Sequence, residues 1–333
     1  MSIQKREAYF DNIKCVLIFL VVIGHFIDFT VDNSDAMKSI FLFIYSFHMP
    51  LFIFLSGLFC KNTIADGRKT AVRVVFFFIL YVLMKLLTFL VNVAFDQEAS
   101  FQLFTEGGAP WYLFAMAVFY ATGYAVKNVN RKALLVFSVL VAVLAGCDSA
   151  IGDEFVLLRI FVFMPFFIAG WYIDREKLQQ FMSQKLVRMV GAVCCIVFAI
   201  ACVVLVDYVY EARFLFSGRH NYAAFQQFAP YGPILRLVGY VVSGVMCFVV
   251  MAVIPQKRIP VVSVIGQRTL GIYFFHRPIL SVLIYSGALE SVYSIFGVEV
   301  GIWIWILMAV VLTLILALPI FNKAVNFEKR LYI

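Results

Sequence analysis

The sequence predicts an all-α fold: a polytopic membrane helix bundle of about ten transmembrane helices, with both termini cytoplasmic. Three observations lead there. Hydrophobic residues make up 64% of the chain and charged residues only 14%, which leaves too little polar surface for a water-soluble domain of 333 residues. Apolar runs recur from end to end, each long enough to cross about 30 Å of hydrocarbon as a helix. The connectors between them alternate in charge, basic then acidic.

In chain order the apolar runs lie near 13–30, 38–59, 71–95, 110–126, 133–147, 156–173, 189–208, 234–254, 269–288 and 301–321, the fifth and sixth being the shortest. No small-residue cleavage site follows the first run, so it reads as a retained span, not a signal peptide. Most of the 27 Lys and Arg gather on "MSIQKREAYF", "KNTIADGRKTAVR", "KNVNRK", "DREKLQQFMSQKLVR", "PQKRIPVVSVIGQR" and the tail "NKAVNFEKRLYI", which belong on the cytoplasmic side. The acidic segments "DFTVDNSDAMK", "DQEASFQLFTEGG" and "CDSAIGDEF" belong on the outer side. The net charge of +8 is therefore a topology signal and gives no basic face for a nucleic acid. Seven cysteines, an odd number without a CxxC pair, read as small apolar packers. The chain forms one domain over residues 1–333. A long outer segment near 208–233, with Arg213, Arg219 and His220 among many aromatics, either lines an access route or forms an interfacial belt.

Ionisable residues inside the runs carry the functional signal, because charge within hydrocarbon is costly. Lys14 and His25 lie about three helical turns apart on one face, with Asp11 and Asp28 beside it, and the helical rise puts His25 roughly 16 Å above Lys14. His48 is expected at a similar depth, just before a kink at Pro50, and so is His276, which shares a face with Thr269 and Tyr273. A helix–helix hydrogen bond accounts for any one of these histidines. Three of the chain's four at one level point to a cavity. Arg159 opens "LLRIFVFMPFFIAGWYI" and either snorkels to the headgroups or joins Phe163, Phe166 and Gly170 on one inward face. Lys85 is expected to snorkel, and Trp111 is either an interface anchor or a substrate contact. No HExxH or carboxylate–His helix motif supports a metal, and none is expected.

The same residues carry a resemblance to a known family. "DNIKCVLIFLVVIGH" supplies Asp11, Lys14 and His25; "FHMPLFIFLSG" supplies His48, Pro50, Ser56 and Gly57. Arg68 and Arg73 open the third run, "PWYLFAM" carries Trp111, and "RIFVFMPFFIAG" carries Arg159. "IGQRTLGIYFFH" adds Gly266, Thr269, Tyr273 and His276. In order and spacing the chain resembles the acyltransferase-3 family of integral-membrane O-acyltransferases, nearest its fucose 4-O-acetylase-like branch, over nearly its whole length. One position departs: Lys14 stands where the family usually has Arg, keeping the charge but losing the planar fork that grips a phosphate.

The resemblance implies transfer of an acyl group, usually acetyl, from cytoplasmic acetyl-CoA or another acyl-CoA to a hydroxyl of a glycan or lipid-linked saccharide, in a bacterial inner membrane. The residue chemistry fits. Polyanionic coenzyme A needs a cationic mouth, for which Lys14, Arg68, Lys69 and Arg73 are the candidates. A thioester is already activated and lacks only a deprotonated alcohol, so His25 is the candidate base, with Asp28 orienting it. His48, Tyr273 and His276 are candidates to orient the base or stabilise the oxyanion, and Trp111 and Arg159 to hold substrate. A covalent acyl-enzyme through Ser56 or a histidine is the other route. Two rival readings stand: a proton-coupled transporter or flippase using the histidines as a relay, and a silent receptor on the same scaffold.

Overall fold

The computed structural model describes residues 8–105 and 108–332. Lys5 and Arg6 of the basic N-terminal segment, and Glu106 of the second acidic loop, lie outside the described residues. Helix α1 spans Ala8–Ile27, α2 Asp35–Tyr45, α3 His48–Phe59, α4 Lys61–Ile64, α5 Gly67–Ala94, α6 Trp111–Ala125 and α7 Arg131–Ala145. Then follow α8 at Leu157–Tyr172, α9 at Arg175–Met182, α10 at Lys185–Val204, and two short helices, α11 at Val206–Val209 and α12 at Arg213–Ser217. Helices α13 (Gly232–Val253), α14 (Pro260–Gly266), α15 (Thr269–Tyr285), α16 (Ala288–Leu316) and α17 (Pro319–Val325) complete the chain. Among the described residues the β-structure is one isolated bridge, Thr105 to Glu154.

Six helical segments are long and apolar enough to cross a membrane, seven if α8 and α9, bent by 92° at their junction, form one broken span. The fold is that of an integral membrane protein. Helices α6, α7 and α15, at 15, 15 and 17 residues, are shorter than a full span, though each coincides with an apolar run.

The second apolar run is two helices, and the reason is Pro50. Its ring cannot donate to the Ser46 carbonyl and clashes with it, so α2 stops at Tyr45 and α3 restarts at His48, with Pro50 in a first turn where no donor is needed. The disruption thus lies ahead of the proline, and His48 sits at the break. The first helix also ends earlier than its apolar run: α1 stops at Ile27, which puts His25 in its last turn. His276 stands two residues before Pro278 in α15. The His25 and His48 rings project from helix ends, where non-helical backbone is tolerated if it faces a cavity or other protein, and the His276 ring from within the continuous α15.

Close backbone approaches lock these helices. A Cβ on Gly57 of α3 would sit 2.0 Å from the Phe167 carbonyl oxygen, and one on Gly170 of α8 would sit 2.0 Å from that of Phe54. The α3–α8 crossing therefore needs both glycines, as small residues let membrane helices meet backbone to backbone. Near the start of α1 Asn12 ties that helix to the segment before α15, donating to the Pro255 and Lys257 carbonyls (both 2.9 Å) and accepting from Ser263 Oγ (2.8 Å). In the segment before α13 Arg219 makes a two-pronged ion pair with Asp153, so the aromatic segment is clamped to a neighbouring loop.

Asp66 caps the N-terminus of α5 by accepting from the Lys69 backbone N–H at 3.1 Å. That bond, with the Lys69 ammonium behind it, holds the Asp66 carboxyl below its usual range. A carboxyl depressed in the folded state stabilises it above the unfolded pKa and ceases to as pH falls through the folded one. Asp66→Ala is therefore expected to lower the unfolding midpoint at neutral pH, with the gap to wild type closing as the pH drops below the carboxylate range. A gap independent of pH in a thermal series would remove the charge from this account.

Candidate active site

Four helices, α1, α2, α3 and α15, bring the polar residues together. His25 Nδ1 lies 3.0 Å from Asp28 Oδ2, one helical turn on. Tyr45, the last residue of α2, donates from its hydroxyl to the other oxygen, Asp28 Oδ1, at 3.1 Å. Its ring fits against Gly24, where an added Cβ would meet it at 3.2 Å, and lies edge-on to His48, centroids 4.8 Å apart. The His25 and His276 rings are 5.2 Å apart, tilted by 30°.

The partners determine which ring nitrogen holds the proton. A carboxylate accepts, so His25 Nδ1 donates to Asp28 and the neutral ring presents the Nε2 lone pair. Carbonyls accept as well: His48 Nδ1 donates to Ile44 O at 2.8 Å and His276 Nδ1 to Tyr273 O at 2.6 Å. His276 Nε2 is buried without a hydrogen-bond partner. An aspartate and a tyrosine thus orient one imidazole beside a second imidazole whose outer nitrogen is open. His25 keeps 22% side-chain exposure, so a substrate hydroxyl can approach it.

The bundle holds two further cavities, and neither is lined by His25, Asp28, His48 or His276. The inner one, about 340 Å³, runs from Lys14, Arg73 and Gln267 at the basic end to Ser56, Tyr112 and Tyr273, between walls that include Phe52, Phe76 and Met116. The outer one, about 320 Å³, lies between α5, α15 and the loop before α6, and its lining includes Ala109. Tyr273 donates its hydroxyl to the Ala109 carbonyl and so stands between the two. At the inner end Lys14 pairs with Asp11 (2.7 Å), whose second oxygen accepts from Gln267 (2.9 Å), and Arg73 pairs with Glu328 (2.9 Å).

The structure gathers His25, Asp28, His48 and His276 into one cluster, with Tyr273 beside it at 5.5 Å between rings from His276. Of the four cations proposed for the donor mouth, Lys14 and Arg73 line the inner cavity. Arg68 instead donates to the Tyr332 carbonyl at 2.6 Å, and Lys69 pairs with Asp66 at the exposed start of α5. Arg159 and Trp111 are both buried and touch, the guanidinium 5.1 Å from the indole centroid, and Phe163 stacks on the indole at 5.1 Å. Lys85, expected to snorkel, turns inward: its ammonium donates to the Thr105 carbonyl at 2.7 Å and lines the outer cavity. Ser56 Oγ lies 3.2 Å from the Tyr112 hydroxyl. Tyr45 escaped the sequence reading, although it stands only three residues before His48. Among the described residues no group of three His, Cys, Asp or Glu is placed to hold a metal ion.

A family profile described as an acyltransferase domain, of the acyltransferase-3 type, matches residues 7–322. The chain is 29% identical over 237 residues to nodulation protein NolL of Sinorhizobium fredii (strain NBRC 101917 / NGR234), an alignment covering 66% of this chain and 60% of that protein. It is 39% identical over 64 residues to nodulation protein NolL of Mesorhizobium japonicum (strain LMG 29417 / CECT 9101 / MAFF 303099), covering 18% of this chain and 17% of the relative. The chain thus spans less than two thirds of either relative's length. No solved structure matches.

Proposed function

Since the chain belongs to this acyltransferase domain family, we propose that it is a membrane O-acyltransferase, moving an acetyl group from cytoplasmic acetyl-CoA to a hydroxyl of a glycan or lipid-linked saccharide. The observation that carries the reading is the Tyr45–Asp28–His25 chain: an imidazole held at Nδ1 by a carboxylate presents a basic Nε2. His25 Nε2 takes the acceptor's hydroxyl proton as its oxygen attacks the thioester carbonyl. The new C–O bond forms, the C–S bond breaks, and the departing thiolate takes the proton back from the imidazolium. Asp28 and Tyr45 are positioning residues in this scheme. His276, 5.2 Å away, is placed to meet the developing oxyanion only when it is itself protonated; with Nε2 bare it serves as a relay for the same proton.

The inner cavity suits the donor. Its cationic rim is at the basic end of the bundle, and its narrow aromatic walls match a pantetheine arm with a short acyl group, leaving the nucleotide outside with Lys14 and Arg73. Ten spans with both termini cytoplasmic, in a bacterial inner membrane, complete the reading.

The test is release of free CoA from acetyl-CoA by the purified protein in nanodiscs, with and without a panel of saccharide acceptors. Acceptor-stimulated release is the expected result. No binding or turnover across several acyl chains and acceptors would turn the same histidine cluster toward transport of a polar substrate.

A further inference from the structure

We infer that residues 327–332 form an autoinhibitory strap at the basic end of the inner cavity. Glu328 occupies Arg73, and a phosphate-bearing ligand must displace that carboxylate, which frees Arg68 and Arg73 together. That the ligand is acyl-CoA rests on the acyl-transfer reading; the latch itself does not.

The strap follows a helix that is firmly seated. Helix α17 packs closely on α15, where a Cβ on Gly271 would sit 2.9 Å from the Asn322 backbone nitrogen, and Val325 is buried. Helical geometry then ends at Asn326 (φ −95°, ψ 59°), and Glu328–Tyr332 is one short 3₁₀ stretch. The hydrogen bonds of such a stretch are poorly aligned and cheaply undone. Three contacts with α5 hold it. Phe327 lies edge-on to Phe76 with ring centroids 5.1 Å apart, Glu328 Oε1 is 2.9 Å from Arg73 Nε, and the Tyr332 carbonyl accepts from Arg68 at 2.6 Å. Asn326 and Glu328 line the inner cavity, so the start of the strap is part of its wall.

The ties explain where two cations went. Arg68 and Arg73 both open α5, both are expected at a mouth for a polyanion, and both are engaged by this one segment. Neither engagement is strong. Arg73 Nε makes no hydrogen bond despite the 2.9 Å approach, and its side chain keeps 32% exposure, so the pair is charge against charge and screened by solvent. Arg68 has only a neutral carbonyl for its charge. A phosphate offers the planar guanidinium two charge-assisted bonds, so exchanging the carboxylate for it is favourable. The displaced Glu328 is then repelled by the phosphate that replaced it, and the strap lifts from its hinge at Asn326.

Hydrogen exchange across 327–332, in the full chain in nanodiscs, reads the strap; the Arg330 amide, bonded to the Phe327 carbonyl at 2.8 Å, is its internal reporter. Without ligand, Glu328→Gln is expected to exchange faster than wild type there. CoA, or inorganic pyrophosphate alone, is expected to speed exchange in wild type. Glu328→Gln is also expected to bind CoA about threefold or more tightly, since the ligand no longer breaks an ion pair. Arg73→Gln breaks the same latch, so it too should loosen the strap, but it should bind CoA more weakly. Unchanged exchange in Glu328→Gln overturns the inference, as does a CoA affinity that stays the same or falls in that variant, or a wild-type strap that neither CoA nor pyrophosphate loosens. If Glu328→Gln loses its thermal transition, Arg73→Gln supplies the ligand-free comparison. Loosening by pyrophosphate with no binding of CoA counts against the acyl-CoA donor and leaves the latch standing.

Discussion

His25→Ala is expected to lower acceptor-stimulated CoA release by about 10²–10⁴-fold, the usual span for a general base, while the protein keeps its fold and its affinity for acetyl-CoA. The ring is partly open and its loss leaves a small, accessible gap, so misfolding is not the anticipated cause. Asp28→Asn is the sharper companion. It keeps the size of the group near Nδ1 but replaces a carboxylate by an amide, which also loses the Tyr45 contact in its charged form. Its expected effect falls on kcat, not on KM, because a positioning residue acts on the base and not on the substrate. Retention of release within a few-fold in folded His25→Ala would transfer the role to His276, the other imidazole with an open Nε2.

Gly57→Ala is expected to be among the damaging single methyl additions in the bundle. The new Cβ would lie 2.0 Å from a backbone oxygen of α8, which cannot rotate away as a side chain can. Separating α3 from α8 costs about 1–3 kcal/mol by analogy with overpacked cores, and here it would also move His48 at the head of α3. Gly244→Ala is the control: nothing lies within 4 Å of its added Cβ, so the change should stay within about 0.5 kcal/mol. Thermal unfolding in one detergent, with both variants side by side, checks the contrast. Equal midpoints would mean that the α3–α8 crossing yields more readily than its backbone contact implies.

Much of this architecture was legible in the sequence because the solvent imposes it. A long run without charge has one cheap conformation in hydrocarbon, so helices were readable from apolar length. Counting residues from a boundary charge gave the histidines a common depth, and the structure draws them together. Pairings across helices were less legible. Tyr45, the last residue of α2, reaches across to Asp28 beyond α1, a pairing that periodicity within one helix does not announce. Arg68 and Lys69 resembled donor ligands, but any cytoplasmic loop collects cations, so clustering in sequence could not separate cavity-lining residues from exposed ones. Lys85 turned inward because a loop carbonyl, invisible to periodicity, waited within reach. Arg236, only 2% exposed and donating to the Leu215 carbonyl at 2.5 Å, is a buried cation that the apolar pattern of α13 concealed.

The hydroxyl of Tyr273 on the Ala109 carbonyl bears on how the membrane stays charged. A protein that admits one reactant from each side is two half-channels end to end, and a continuous water file between them would short-circuit the ion gradients on which the cell lives. Here the Tyr273 ring lines the inner cavity and the Ala109 carbonyl it caps lines the outer one. Tyr273→Ala should therefore make proteoliposomes leak protons under an imposed potential, where wild type holds it. In the proposed reaction only the acyl group would need passage, handed across the seal as a bond and never as a diffusing species.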